Sequence, residues 1–171
     1  TAPMLLTVRS LSSSYYARDQ FTAFYLAQEA IETVHQIRDN QILQIAKNNT
    51  GGVVDLFGSI SSYANSQPFR IDATTNVIKS CASDPGALCR ALQTDGNLYG
   101  YSDSNPTLTT NTSFTRTITA CYLQGSGTCS STPANEMRVS VTVAWRTAAL
   151  TPRTFTISED MYRWIRDGSG V

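Results

Sequence analysis

Apolar residues recur at helical spacing from about Met4 to Lys47, a stretch with no Gly and no Pro after Pro3. Leu26, Ala30, Val34 and Ile37 form the main stripe, and Phe24, Ala27, Ile31, Ile42 and Ile45 widen it. Leu5, Val8, Leu11 and Tyr15 carry a looser apolar face toward the start, where Pro3 suits a first-turn position. Asn48, Asn49, Thr50, Gly51 and Gly52 stop the pattern, with Lys47 placed where a cation suits the helix dipole. The pattern predicts one helix of about 65 Å at roughly 1.5 Å per residue. A head of the remaining length cannot cover all of it, so the N-terminal half protrudes and the C-terminal half packs on the head. Phe21, Phe24, Tyr25 and Leu26 surround much of the helix, which calls for cover on more than one side, from the same domain or from neighbouring subunits.

Beyond the glycines the period shortens to two. Val54, Phe57 and Ile60 first suggest a short helix over Val53–Ser62. Phe69 and Ile71 then alternate with Arg70 and Asp72, and Val77 and Ile78 form the hairpin partner after a turn at Thr74, Thr75 and Asn76. Asp84, Pro85 and Gly86 make a turn, as do Asp95, Gly96 and Asn97. Leu98–Ser102 reads as a Tyr-rich strand and Ser104–Asn111 as a polar loop. Phe114, Ile118, Ala120 and Tyr122 alternate with Thr115, Thr117 and Thr119. The clearest strand follows, with Met137, Val139, Val141, Val143 and Trp145 on one face. Phe155 and Ile157 begin a last strand, expected to reach Trp164. The fold class is α+β: a long N-terminal α-helix (1–50) packed on an antiparallel β-sheet in a β-rich head (51–171), one domain overall.

Composition narrows the chemistry. With 171 residues one real core is supported and two domains would be cramped. Thirteen basic and thirteen acidic residues cancel, so no electrostatic footprint for nucleic acid is expected. Cys81, Cys89, Cys121 and Cys129 form two pairs with seven residues inside each. Metal sites use tighter pairs, often with His, and the single histidine, His35, stands far away. Two disulfides in an oxidising compartment are the expectation. Cys81–Cys89 and Cys121–Cys129 is the simplest connectivity among the three that four cysteines allow. Ala2–Leu6 is too short to span a bilayer. Disulfides without an export signal, and a start inside a helical pattern, suggest a chain that has lost its native N-terminus.

No catalytic constellation emerges, so the expected role is not enzymatic. His35 stands between Glu32 and Asp39 at helical spacing, which predicts mild surface ion pairs. Glu159 and Asp160 are adjacent in a strand and point to opposite faces. Asp103 and Asn105 have the D-x-N spacing of calcium loops but lack the following Gly and distal Glu, so a turn explains them and no cofactor is expected.

The order of elements and part of the text resemble type IV pilins and the pseudopilins of type II secretion, especially their minor subunits. The helix text Phe24–Glu32 (FYLAQEAIE), followed by Ile37, Arg38 and Asp39, carries the resemblance most specifically. Phe69–Asp72 (FRID), Phe114–Ile118 (FTRTI) and Val139–Trp145 are similar to the sheet that follows in such proteins. The resemblance implies a structural subunit that assembles through its helix with other pilin or pseudopilin subunits. It also implies an inner-membrane assembly platform, engaged through an N-terminal segment, and a location in the cell envelope, membrane-anchored before assembly and then in a surface filament. The opening Phe and fifth-position Glu of mature pilins have no counterpart here. The assembly interface expected on these grounds comprises Met4, Leu5, Val8, Leu11, Tyr15, Phe21, Phe24 and Tyr25, and the isolated chain is expected to be monomeric. The competing reading is a tip adhesin or secreted ligand-binding module using loops Ser102–Thr112 and Cys121–Cys129.

Overall fold

The computed structural model describes residues 2–48, 57–85, 88–147 and 151–162, with helix side chains described for 10–44 and 47. Helix α1 runs Ala2–Asn48, 47 residues and about 70 Å at 1.5 Å per residue. A 3-10 helix follows at Gly58–Tyr63. The strands are β1 (Phe69–Asp72), β2 (Val77–Ser80), β3 (Ala91–Thr94), β4 (Tyr99–Gly100), β5 (Thr110–Leu123), β6 (Cys129–Ser130), β7 (Glu136–Trp145) and β8 (Arg153–Tyr162), with a second 3-10 turn at Cys81–Ser83. The chain is thus α+β, one long N-terminal helix and an antiparallel sheet.

Strand β5 is the hub. Along one edge it pairs with β7 from Thr115↔Ala144 to Tyr122↔Met137, and β7 pairs with β8 from Glu136↔Tyr162 to Trp145↔Arg153. Its other edge is shared by β1 at Ile118↔Phe69 and by β3 between Thr110 and Thr115. Strands β2 and β4 lie outside β1 and β3.

One face of this sheet is apolar because its strands alternate in register. Met137, Val139, Val141, Val143 and Trp145 of β7 are buried beside Ile118, Ala120 and Tyr122 of β5 and Met161 of β8. Ala23, Leu26, Ala27, Ala30, Ile31 and Val34 of α1 close over them. Alanine at three of those positions lets the helix lie close to the strands. Burying one Val, Leu or Ile is worth roughly 1.5–3 kcal/mol, so this seam dominates the stability of the head. The opposite face is a hydroxyl ladder: Ser140 and Thr142 of β7 hydrogen-bond Ser158 and Thr156 of β8, each at 2.8 Å.

Several expectations need correction. Over Val53–Ser62, the described part is a 3-10 turn starting at Gly58, and 51–56 lie outside the described residues. The alternation of Phe69 and Ile71 with Arg70 and Asp72 does not separate a buried from an exposed face: all four residues of β1 are buried, Arg70 against Asp84 and Asp103 and Asp72 against the Tyr101 backbone N–H. The loop at Ser104–Asn111 ends early: β5 begins at Thr110, and Leu108 is buried. The strand expected at Leu98–Ser102 shortens to Tyr99–Gly100. There a side chain on Gly100 would meet Leu108 Cδ1 at 2.7 Å and both Asp72 carboxylate oxygens at 3.0 Å, so only glycine allows the close approach. Strands β3 and β6 were not anticipated. The last strand is described to Tyr162, and Trp164 lies outside the described residues.

Candidate functional site

Helix α1 separates into a packed part and a bare part. The head's grip begins near Tyr16, whose ring lies 5.7 Å from the Arg153 guanidinium, and Asp19, whose Oδ2 accepts a hydrogen bond from Thr147 Oγ1 at 2.8 Å. N-terminal to Tyr16 the described side chains are exposed, Leu11 at 55% and Tyr15 at 51%. The same exposed surface continues down beside the head, where Phe21 and Tyr25, one helical turn apart, are each 66% exposed. Phe24 sits between surface and core, its ring centroid 6.0 Å from Tyr25 and 5.6 Å from Phe155 on β8. Ala17, Gln20, Phe21, Phe24, Tyr25 and Phe155 line an open depression of about 350 Å³. Cover for Phe21 and Tyr25 is therefore not supplied by the described residues of the head. Exposed large apolar side chains grouped on one element in this way are characteristic of interaction sites, although the exposed Arg18 guanidinium, 5.2 Å from the Tyr15 ring, interrupts the surface. Met4, Leu5 and Val8 share the helix, and their side chains lie outside those described.

The helix is held in place by a buried cation that the sequence reading passed over. Arg116 of β5 is fully buried and points at α1. Its Nη1 donates to Glu29 Oε2 at 2.6 Å and to the Leu26 carbonyl at 3.0 Å, and its Nη2 donates to the Ile71 carbonyl at 2.9 Å. The signal was present in the text: Phe114, Arg116 and Ile118 share the inward period of β5.

His35 does not pair with Glu32 or Asp39. Its Nε2 stands 2.9 Å from Glu159 Oε1 on β8, while Asp39 takes Arg38. The sheet, one layer away, offers a carboxylate at shorter reach than the helix neighbours. Glu159 and Asp160 do point to opposite faces, the first to His35 and the second to Arg138 at 2.7 Å.

A second charged cluster locks the head loops. Arg70 is buried with Asp84, Nε to Oδ2 at 2.8 Å, and also donates to Asp103 at 2.8 Å. Its guanidinium lies over the Tyr101 ring at 4.6 Å. Lys79 reaches Asp103 at 2.9 Å and Arg90 reaches Asp84 at 3.0 Å. The Arg70 hydrogen bond holds the Asp103 carboxyl well below the usual range. Burial works against the Asp84 charge, but Arg70 and Arg90 outweigh it and depress that carboxyl as well. Burial likewise pushes the Tyr101 hydroxyl up.

Asp103 and Asn105, the pair with calcium-like spacing, have protein partners in this region. Asp103 accepts hydrogen bonds from Arg70 and Lys79, with Arg90 at 4.0 Å, and Asn105 Oδ1 accepts from the Thr107 backbone N–H and hydroxyl. Among the described residues no group of three or more His, Cys, Asp or Glu could hold a metal ion. Both disulfides form as the simplest pairing expects, Cys81–Cys89 and Cys121–Cys129. The first closes the loop that carries Asp84. Among the described residues no helix is long and apolar enough to cross a membrane. Comparison with family models, with curated proteins and with solved structures returned no match.

Proposed function

We propose that the chain is a minor pilin- or pseudopilin-like subunit that builds a type IV pilus-like or type II secretion filament through α1. The observation that carries this reading is the aromatic helix surface. Leu11, Tyr15, Phe21 and Tyr25 are exposed on a helix that runs past the head which anchors it. A lone subunit leaves this surface in water, whereas a bundle of equivalent helices removes it, and apolar burial supplies the association energy. The head, stapled by two disulfides, faces outward. Partners are like subunits and the assembly platform in the inner membrane. The resemblance in Phe24–Glu32 supports the same reading.

The test is site-specific cross-linking in the producing cell. A photo-reactive residue at position 21 or 25 captures sister subunits, and one at Thr156, on the hydroxyl face, does not. Cross-linking at equal yield from both faces would remove the basis for the reading.

A further inference from the structure

Among the described residues, β8 pairs with β7 alone, so its outer edge presents a row of main-chain donors and acceptors ten residues long. An edge of this length is a template for another strand. What distinguishes it is the wall beside it. On the α1 side of the edge lie two depressions, spaced along β8 in step with the strand period. The first, about 350 Å³, includes Phe155 and the aromatic residues Phe21, Phe24 and Tyr25. The second, about 230 Å³, is lined by Gln28, Ile31, Glu32, Ile157, Ser158 and Glu159. Phe155, Ile157 and Glu159 share one face of β8 because side chains alternate. Phe155 and Glu159 are four positions apart, about 13 Å at 3.3 Å per residue.

The two depressions differ in chemistry. The first is apolar. The second carries two carboxylates: Glu159, which is 43% exposed and shared with His35, and Glu32, which is exposed and has no partner among the described residues.

We propose that the β8 edge accepts an extended segment of another polypeptide as an added antiparallel strand. That segment carries a lysine or arginine opposite Glu159 and a large apolar residue four positions later, opposite Phe155. Main-chain pairing gives the affinity, and the two depressions choose the sequence. Positive charge on the segment answers Glu32, which is exposed, and Glu159, whose side chain is 43% exposed beside its His35 contact. Antiparallel addition continues the pairing of β7 with β8 and favours this residue order, basic first. The first depression shares Phe21, Phe24 and Tyr25 with the surface proposed for assembly, so an added strand and sister helices compete for it, and strand addition belongs to the unassembled chain.

The probe is a nine-residue peptide of alternating threonines in which lysine precedes leucine by four residues. Its titration against the chain is followed by amide NMR. Shifts are expected at the β8 amides and around Phe24 and Gln28. Exchanging lysine for glutamate weakens binding about tenfold or more, and Glu32→Gln with Glu159→Gln removes the difference between the two peptides. Two further peptides, N-methylated at alternate residues in the two possible frames, separate edge pairing from loose apolar contact: one binds and the other does not. Equal binding of lysine and glutamate peptides, equal binding of both methylated frames, or no binding at millimolar concentration overturns the proposal. So does a chain that sediments as a dimer with its β8 amides protected, since the edge is then filled by a second copy.

Discussion

Arg116 Nη1 and Glu29 Oε2 meet at 2.6 Å, and this contact joins the hub strand of the sheet to the helix that covers it. The partners are unequal. Arg116 is fully buried, while the Glu29 side chain is 39% exposed. Removing the acid therefore strands a buried cation, whereas removing the base frees a carboxylate that water can solvate. Glu29→Ala is expected to cost about 3 kcal/mol or more, the range for breaking a buried pair from one side. Arg116→Met fills similar volume and leaves no buried charge, so it is expected to cost less than Glu29→Ala. Urea denaturation of both variants checks the order, and the reverse order would show that packing, not charge, sets the strength of this joint.

The Arg70 cluster makes stability depend on acid. Asp84 and Asp103 are held below the ordinary carboxylate range in the folded head. In the unfolded chain they titrate near 3.9. Below that value the unfolded chain takes up protons that the folded chain refuses, so their contribution is full above about pH 5 and falls as pH drops through 4 and below. Denaturation midpoints between pH 7 and pH 2 should decline over that window, and Asp103→Asn should make the decline shallower. A midpoint unchanged down to pH 3 would contradict the cluster. Asp84→Ala, which leaves Arg70 buried with a single carboxylate, is expected to cost about 3 kcal/mol at pH 7.

Each disulfide spans a sequence separation of 8. Loop-closure entropy for so short a loop gives about 2–3 kcal/mol per bridge. Losing Cys81–Cys89 should cost more than losing Cys121–Cys129, because its loop also carries Asp84 to Arg70. Single-bridge Cys→Ala pairs, compared by thermal unfolding, test the ordering.

The assembly surface proposed at Phe21 and Tyr25 is predicted to be dispensable for the fold. Phe21→Ser with Tyr25→Ser should change the stability of the isolated chain by no more than about 0.5 kcal/mol each. Leu26→Ala, one helical face away and buried, should cost about 2–5 kcal/mol. In the producing cell the serine pair should abolish incorporation into a filament while the soluble head persists. Sedimentation of the isolated chain at micromolar concentration should show a monomer.

The elements that dominate the core were legible because they are long and regular. The helix read as Met4–Lys47 is found at Ala2–Asn48, and the alternation from Met137 to Trp145 is the inward face of β7. Arg116 escaped because an arginine on an inward position is read as a break in the pattern, although its period matches Phe114 and Ile118. Arg70, Asp84 and Asp103 come from three separate segments, and no spacing rule links residues brought together only by the fold. The same holds for His35 and Glu159, joined across helix and sheet. β3 went unread because Ala91, Leu92, Gln93 and Thr94 offer neither alternation nor β-branched density. The aromatic surface was visible as residue types, but its exposure needed the head in place.

The most direct test of the central claim is mass spectrometry of the mature N-terminus, on protein recovered from the envelope of the producing cell. Filament assembly through α1 predicts an N-methylated first residue followed by roughly 20 apolar residues, enough to enter a bilayer, and then the helix described here. A mature chain that begins near Thr1, or directly after an ordinary cleaved signal peptide, would contradict it.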